Sequence, residues 1–347
     1  MTTSLQVALV GYGFVGKVFH APLLASVDGL ALHTIVSSNP DAVHADFPDV
    51  RVVPSLDDAL ADPSIDLIVI ATPNVLHAPQ AHAALDAGKH VVVDKPFTVT
   101  VDEANSVIAH AERAGRLLSV FHNRRYDADF RTLRQLLAEN ALGTVTQFES
   151  HFDRLRLDVR DRWRERPGPG AGLWYDLGPH LLDQALQLFG APIGITTDIA
   201  VQRDGGLTAD YFHATLRYDR LRVILHASTM MAAHDLRYSV HGTRGSFLKQ
   251  GLDSQEDALK AGRNPGDAMW GHDARPGTLT TVDGERTTTR IVTGEPGDYR
   301  LYYEGVRDAI RGSAPNPVPA TDALAVMKLI EHGIESSDTH CEMEVAV

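Results

Sequence analysis

From residue 5 to about 121 short apolar runs alternate with amphipathic stretches, a rhythm that predicts a parallel sheet with helices on both faces. The strand-like runs are Leu5–Val10, Leu30–Val36, Val50–Val53, Leu67–Ala71, His90–Val93 and Leu117–Phe121. Helical periodicity occupies 15–26, 56–61, 75–87 and 101–114, each followed by Gly or another turn signal. Six strands in this rhythm suit a Rossmann-type, doubly wound domain over 1–121.

Beyond residue 122 the pattern changes. A helix near 129–140 leads into strand-like runs at 145–153, 195–203, 210–218, 221–229 and 236–241, several with plain alternation. Tyr218-Asp219-Arg220 has the look of a hairpin between two of them. The second domain, 122–347, is therefore expected to be α+β with a large, mostly antiparallel open sheet, so that the chain as a whole is α/β. Residues 251–297, rich in Gly, Asp and Thr, fit no clear element, and a last amphipathic helix runs over about 320–336. An open sheet with an exposed apolar face would be covered by a second copy, which predicts a homodimer or homotetramer.

The charge balance narrows the partners. With 32 basic against 45 acidic residues the net charge is −13, and no basic cluster is dense enough to follow a phosphate backbone or an anionic membrane. No apolar run approaches the ~18 residues of a membrane span. The single cysteine, Cys341, and the lack of a leader pattern in Met1 to Gln6 fit a cytoplasmic protein.

The first strand runs into Gly11-Tyr12-Gly13-Phe14-Val15-Gly16. Here Gly11 permits a tight turn, Gly13 lets backbone approach a pyrophosphate, and Gly16 lets the next helix pack closely. The second strand ends in Ser37-Ser38-Asn39, where an acidic residue would bind a ribose diol; small hydroxyls leave room for a 2′-phosphate and favour NADP, with NAD possible. The fourth strand ends in Ala71-Thr72-Pro73-Asn74, with His77 one helical turn on, and Thr72 and Asn74 either face the cofactor crevice or cap the next helix.

The fifth strand ends in Asp94-Lys95-Pro96. Lys95 is either a surface lysine at a strand end or a group that hydrogen-bonds a substrate hydroxyl and exchanges its proton. Further on, Asp176 and His180 stand four apart on a helix and can share one face, a carboxylate–imidazole pair suited to a general base. Asp176 could instead cap that helix, with Pro179 in the first turn, and His180 could be a core residue. Metal binding by His151, Asp176 and His180 lacks a recognisable ligand spacing, and no metal is expected.

Together, and in this order, these motifs resemble the Gfo/Idh/MocA family of oxidoreductases over nearly the whole chain. The family's Glu-Lys-Pro motif stands here as Asp94-Lys95-Pro96, and its Asp-x-x-x-His motif as Asp176 and His180. Phe19-His20-Ala21-Pro22, the run from Phe121 to Asp127 and Glu149 to Arg154 are most similar to the YdgJ-type branch, related to NADP-dependent scyllo-inositol dehydrogenases. The resemblance implies that Lys95, Asp176 and His180 are catalytic and that Arg124 and Asp153 contact substrate; a hydroxyl-rich substrate also suits His151 as a directional partner. The resemblance further implies that Trp163 and Arg164 close over the nicotinamide and that Asp94 belongs to the cofactor end of the site. The implied reaction is hydride transfer to or from a secondary alcohol of a cyclic polyol or sugar. A redox-neutral sugar epimerase or glycosidase and a non-catalytic nucleotide sensor are the alternatives.

Overall fold

The computed structural model describes residues 4–345, so of the N-terminal stretch Met1 to Gln6 the first three residues lie outside the description. The chain divides into two compact units. The first comprises 1–126 with two later segments, 255–270 and 298–324; the second comprises 127–254, 271–297 and 325–347.

The first unit holds strands β1 (Leu5–Val10), β2 (Leu30–Val36), β3 (Arg51–Val53), β4 (Leu67–Ile70), β5 (His90–Val93) and β6 (Leu118–Val120). They form one sheet in the order β3-β2-β1-β4-β5-β6, all pairs parallel. This is the doubly wound order, which reverses direction at β1 and opens a crevice at the carboxyl ends of β1 and β4. Every residue of β4 is buried, as expected of a strand covered on both faces. The helix Val101–Ala114 begins with a capping box between Thr100 and Glu103 and ends at Gly115, whose φ of 60° is left-handed. The pattern at 101–114 was thus sufficient to place it. A short helix, Pro40–His44, follows the serines after β2 unannounced by periodicity, although Asn39 caps it by accepting from Ala42 N at 3.1 Å. Asn before Pro was the available signal.

The second unit holds β7 (Val145–His151), β8 (Gly194–Ala200), β9 (Tyr211–Arg217), β10 (Arg222–Ser228), β11 (Leu236–Gly242), β12 (Gly245–Gln250), β13 (Gly277–Asp283), β14 (Arg286–Val292) and β15 (Met343–Glu344). Their order is β14-β13-β12-β11-β7-β10-β9-β8-β15, antiparallel except for the parallel pair β7 and β10. Strands β9 and β10 form the hairpin expected around Asp219. The stretch 251–297, unassigned by pattern, contains the β13–β14 hairpin: β14 is exposed along nearly its whole length, so it carries no apolar alternation. Asp283-Gly284 at its turn was the remaining clue.

Phe148 of β7, Phe212, Ala214 and Leu216 of β9, and Val223 and Leu225 of β10 are buried on the face that carries the helix Gly172–Phe189, where Trp174 packs edge-on against Phe212 at 4.9 Å. The opposite face carries a polar row. Its alternate positions align Asp198, His213, His226 and His151 in one row across β8, β9, β10 and β7. Ile224, Leu248, Val282 and Ile291 lie on the same face, the last three exposed, so it mixes polar and apolar positions.

A charged pair, Arg237 and Asp129, is buried in this core. Arg237 is 1% exposed and donates to Asp129 Oδ2 (2.9 Å), Ser150 Oγ (3.0 Å), Gln184 Oε1 (2.8 Å) and Tyr238 Oη (2.8 Å). Burial works against its charge, while Tyr238, Asp129 and Asp127 raise its pKa above the ordinary guanidinium value.

Candidate functional site

The site residues of the first unit gather at the carboxyl edge of the parallel sheet, because ladder hydrogen bonds align the strand ends. Gly11 N donates to Val36 O (3.1 Å), Ser37 N to Val53 O (3.0 Å), Ala71 N to Val10 O (2.9 Å) and Asp94 N to Ile70 O (2.9 Å). Gly11, Tyr12, Gly13, Ser37, Ser38 and Thr72 line one crevice there.

The three glycines differ as their roles require. Gly11 has a φ of +98°, and a Cβ on it would lie 2.7 Å from Ala71 O. A Cβ on Gly16 would lie 2.1 Å from Gly11 O, so the helical segment that begins there (Gly16–His20, continuing as Ala21–Ala25) packs directly on the turn. A Cβ on Gly13 meets nothing within 4 Å. Its emptiness faces outward, where a pyrophosphate would approach, and Phe14 beside it is 55% exposed. These features fit a dinucleotide. Gly13→Ala is therefore expected to leave the melting temperature unchanged while weakening dinucleotide binding by at least about tenfold. Fluorescence titration checks this; unchanged affinity would remove the turn from the binding site.

Neither Thr72 nor Asn74 caps the following helix. Thr72 Oγ1 donates to Gln80 Oε1 at 2.7 Å, and the caps of Asn74–Leu76 and of His77–Asp86 make no side-chain bond. His77 does not point into the crevice. It is fully buried, with its ring nitrogens 2.8 Å from Pro96 O and 3.0 Å from Thr72 O, and so ties the ends of β4 and β5 together. Burial lowers its pKa, opposed by Asp94 and by the two carbonyls.

Asp94 and Lys95 are both buried, 4% and 8% exposed. Behind them lies His20, whose Nε2 is 3.7 Å from Asp94 Oδ1 and whose Nδ1 is 2.5 Å from the hydroxyl of Tyr303. Burial works against ionisation of Asp94, but His20 and then Lys95 outweigh it and hold its pKa below the usual carboxylate range. His20 carried part of the family resemblance without a role; only the packing of Tyr303 and Phe121 around it brings it to Asp94. Arg124, by contrast, is taken up by Glu256, Nη2 to Oε2 at 2.6 Å. Burial opposes the charge of Glu256, yet Arg124 and Lys260 hold its pKa at about 2.

In the second unit the helix Gly172–Phe189 carries Asp176 and His180 one turn apart. Its N-cap is Ala171, so Asp176 is not the cap and Pro179 lies inside the helix. His180 is 7% exposed; Asp176 is half-buried, and Arg164 Nε lies 3.5 Å from its Oδ1. The Arg164 guanidinium also covers the Trp163 ring at 4.4 Å.

Strand parity separates the remaining residues. Beyond β7 the chain stays extended, with Arg154 N bonded to Ser228 O (2.9 Å) and Arg156 N to Thr229 O (2.8 Å). Arg154 and Arg156 thus share the face of Phe148 and Phe152, against which the Asp176 helix packs, and line a hollow with Asp176. Asp153 shares the other face with His151. There it accepts from His226 Nδ1 at 2.8 Å and lies 3.3 Å from His151 Nδ1. Burial raises the Asp153 pKa, but these two imidazoles outweigh it and lower the net value. Among the described residues this trio brings three metal-capable donor atoms within 4.8 Å, and it includes neither Asp176 nor His180. No described helix is long and apolar enough to cross a membrane.

Comparison with known proteins agrees with this architecture. Residues 5–122 match the oxidoreductase-family NAD-binding Rossmann fold (GFO_IDH_MocA), and 134–345 match the family's C-terminal alpha/beta domain. The chain is 55% identical over 337 residues to the oxidoreductase YdgJ of Escherichia coli (strain K12), covering 97% of each. It is 41% identical over 336 residues to scyllo-inositol 2-dehydrogenase (NADP(+)) IolW of Bacillus subtilis (strain 168), covering 96% of this chain and 94% of the relative. The solved structure of YPO2259 from Yersinia pestis superposes with a TM-score of 0.97 at 53% identity, covering 100% of this chain and 99% of that one. A crevice built for a dinucleotide, with two family domains spanning nearly every residue, makes the assignment: the chain belongs to the Gfo/Idh/MocA family of oxidoreductases and is a dehydrogenase acting on CH–OH donors.

Proposed function

We propose that the protein interconverts a secondary alcohol and a ketone on a cyclic polyol or sugar, with NADP preferred. The helix-borne pair Asp176 and His180, four residues apart behind a glycine-rich loop, is the observation that carries this reading. His180 takes the hydroxyl proton, Asp176 raises its basicity and orients it, and Lys95 hydrogen-bonds the same oxygen as negative charge develops. A nicotinamide dinucleotide, when bound, supplies the two-electron acceptor or donor; Gly11, Gly13 and Gly16 at the turn and Thr72 just after β4 would hold it.

The preference for NADP rests on the crevice wall: Ser37, Ser38, Asn39 and Ser55 line it, with no carboxylate among its described lining residues. Hydroxyls accommodate a 2′-phosphate that an acidic side chain would repel. The NADP-linked inositol activity named for the 41% identical relative supports the same class. Ser38→Asp is expected to lower the ratio of NADP to NAD efficiency by at least about tenfold. Steady-state rates with both cofactors check this, and an unchanged ratio contradicts it. The function itself is tested with a panel of inositols and sugars, followed at the reduced-nicotinamide band with each cofactor. Product formed without net absorbance change would replace it with a redox-neutral reaction.

A further inference from the structure

Strand pairing gathers three metal-capable side chains on the sheet face that does not carry the helix Gly172–Phe189. His151 closes β7, and His226 of β10 is its register partner in the parallel pair, so the two imidazoles stand side by side. Asp153 lies two residues beyond His151 where the chain is still extended, with Phe152 N bonded to His226 O at 2.9 Å, and so shares their face. Register, which the backbone fixes, thus brings the three together. His226 is 73 residues from Asp153 in the chain, and for that reason no ligand spacing shows in the sequence.

The donor atoms have the spacing of a coordination sphere. The carboxylate oxygens of Asp153 lie 2.8 Å from His226 Nδ1 and 3.3 Å from His151 Nδ1, and one donor atom from each residue falls within 4.8 Å of the other two. Two nitrogen or oxygen ligands held ~2 Å from a tetrahedral zinc ion are ~3.3 Å apart, so an ion enters with small movements of these side chains. The Asp153 side chain is 3% exposed, beneath rings that are 17% and 12% exposed, which leaves approach from the solvent side of the rings. An outer partner is also in place: Glu149 Oε2 is 3.5 Å from His151 Nε2. When His151 coordinates through Nδ1 its ring proton sits on Nε2, and a carboxylate there fixes that tautomer and orients the ring. His213, the register partner of His226 on β9, sets a third imidazole beside the trio, 6.0 Å from His226 between ring centroids. Two imidazoles and a carboxylate are a donor set suited to zinc, and they leave a fourth position for water.

We propose that His151, Asp153 and His226 form a site for a divalent transition-metal ion of the zinc type, with Glu149 orienting His151. The ion clasps β7 to β10, two strands that meet near the middle of the sheet. Asp176 and His180 belong to the helix packed on the other face, so the ion stabilises the second unit rather than activating substrate. The site therefore rests on neither the cofactor nor the polyol reading.

The test uses the full-length protein, freed of metal by chelation and dialysis and titrated calorimetrically with Zn²⁺ and with Mg²⁺. Wild type should bind Zn²⁺ tightly and Mg²⁺ not at all, since the donor set suits the softer ion. His226→Gln should weaken Zn²⁺ binding by at least about 100-fold, and Glu149→Gln, which removes only the outer carboxylate, by about tenfold. Asp153→Asn, nearly isosteric, should repeat the loss and serves if His226→Gln folds poorly. Two controls cover other groups that take up zinc: His82→Gln, because His82 and His110 approach within 2.8 Å, and Cys341→Ser, because that thiol is exposed. Both should keep wild-type affinity. Zn²⁺ at about 100 times its Kd should raise the melting temperature of wild type by roughly 5 °C or more and leave that of His226→Gln or Asp153→Asn in place. No tight binding in wild type, binding that survives His226→Gln and Asp153→Asn, or binding lost only in a control variant overturns the site.

Discussion

Lys95→Ala and His180→Ala are each expected to lower turnover of the best alcohol substrate by at least about a hundredfold while leaving dinucleotide affinity within a few-fold of wild type. The split follows from where the groups sit. The dinucleotide turn consists of backbone at the end of β1, held by Gly11 and Gly16, and neither substitution touches it. Lys95 follows β5, 8% exposed, beside an Asp94 whose pKa His20 and Lys95 lower. In the proposed mechanism, removing its ammonium deletes a donor to the reacting oxygen, where a preorganised donor counts most in the transition state. In the proposed mechanism His180→Ala deletes the proton acceptor while leaving Asp176 and its contact with Arg164 in place. Single-turnover rates and cofactor titration measure the two quantities separately. Wild-type rates in both variants would remove these residues from the chemistry, and a parallel loss of cofactor affinity would assign them to binding.

Arg237→Leu should be the most destabilising single substitution in the second unit, costing about 3–5 kcal/mol. The guanidinium is enclosed, and its removal leaves Asp129, fully buried, with its charge balanced only by hydrogen bonds such as that from Phe130 N at 2.7 Å. Ser150 and Gln184 each lose a donor as well, Gln184 keeping the hydroxyl of Tyr238. For a unit of this size the melting transition should fall by roughly 6–20 °C. The double variant Arg237→Leu with Asp129→Leu should regain much of the loss, since replacing a buried pair by apolar groups is far cheaper than orphaning one member. A single variant that melts with wild type, or a double variant no better than the single, contradicts this account.

Much of the candidate site was legible in the sequence because its parts are local. The glycine turn, the strand before it and the helix after it are contiguous, and each glycine's task follows from its offset. Asp176 and His180 share a helix face by spacing alone, once the helix is known to begin at Gly172. The sequence misled where a one-residue shift mattered. Asp153 lies within the stretch that resembles relatives, but alternation turns it toward His151 and His226, while Arg154 and Arg156 turn toward Asp176. A pattern read one residue off reaches the wrong face of a sheet.

The chain alone determined that a parallel, doubly wound half precedes a mostly antiparallel one, that a dinucleotide turn follows β1, and that lysine, aspartate and histidine motifs stand in family order. Periodicity and turn chemistry are short-range, so they survive in one dimension. Only the tertiary structure decided that His20 backs Asp94, that Glu256 engages Arg124, that Arg237 is enclosed beside Asp129, and that five arginines surround one hollow. Those contacts join residues far apart in the chain, and a charged side chain carries no local mark of whether it will face water, a carboxylate or a ligand.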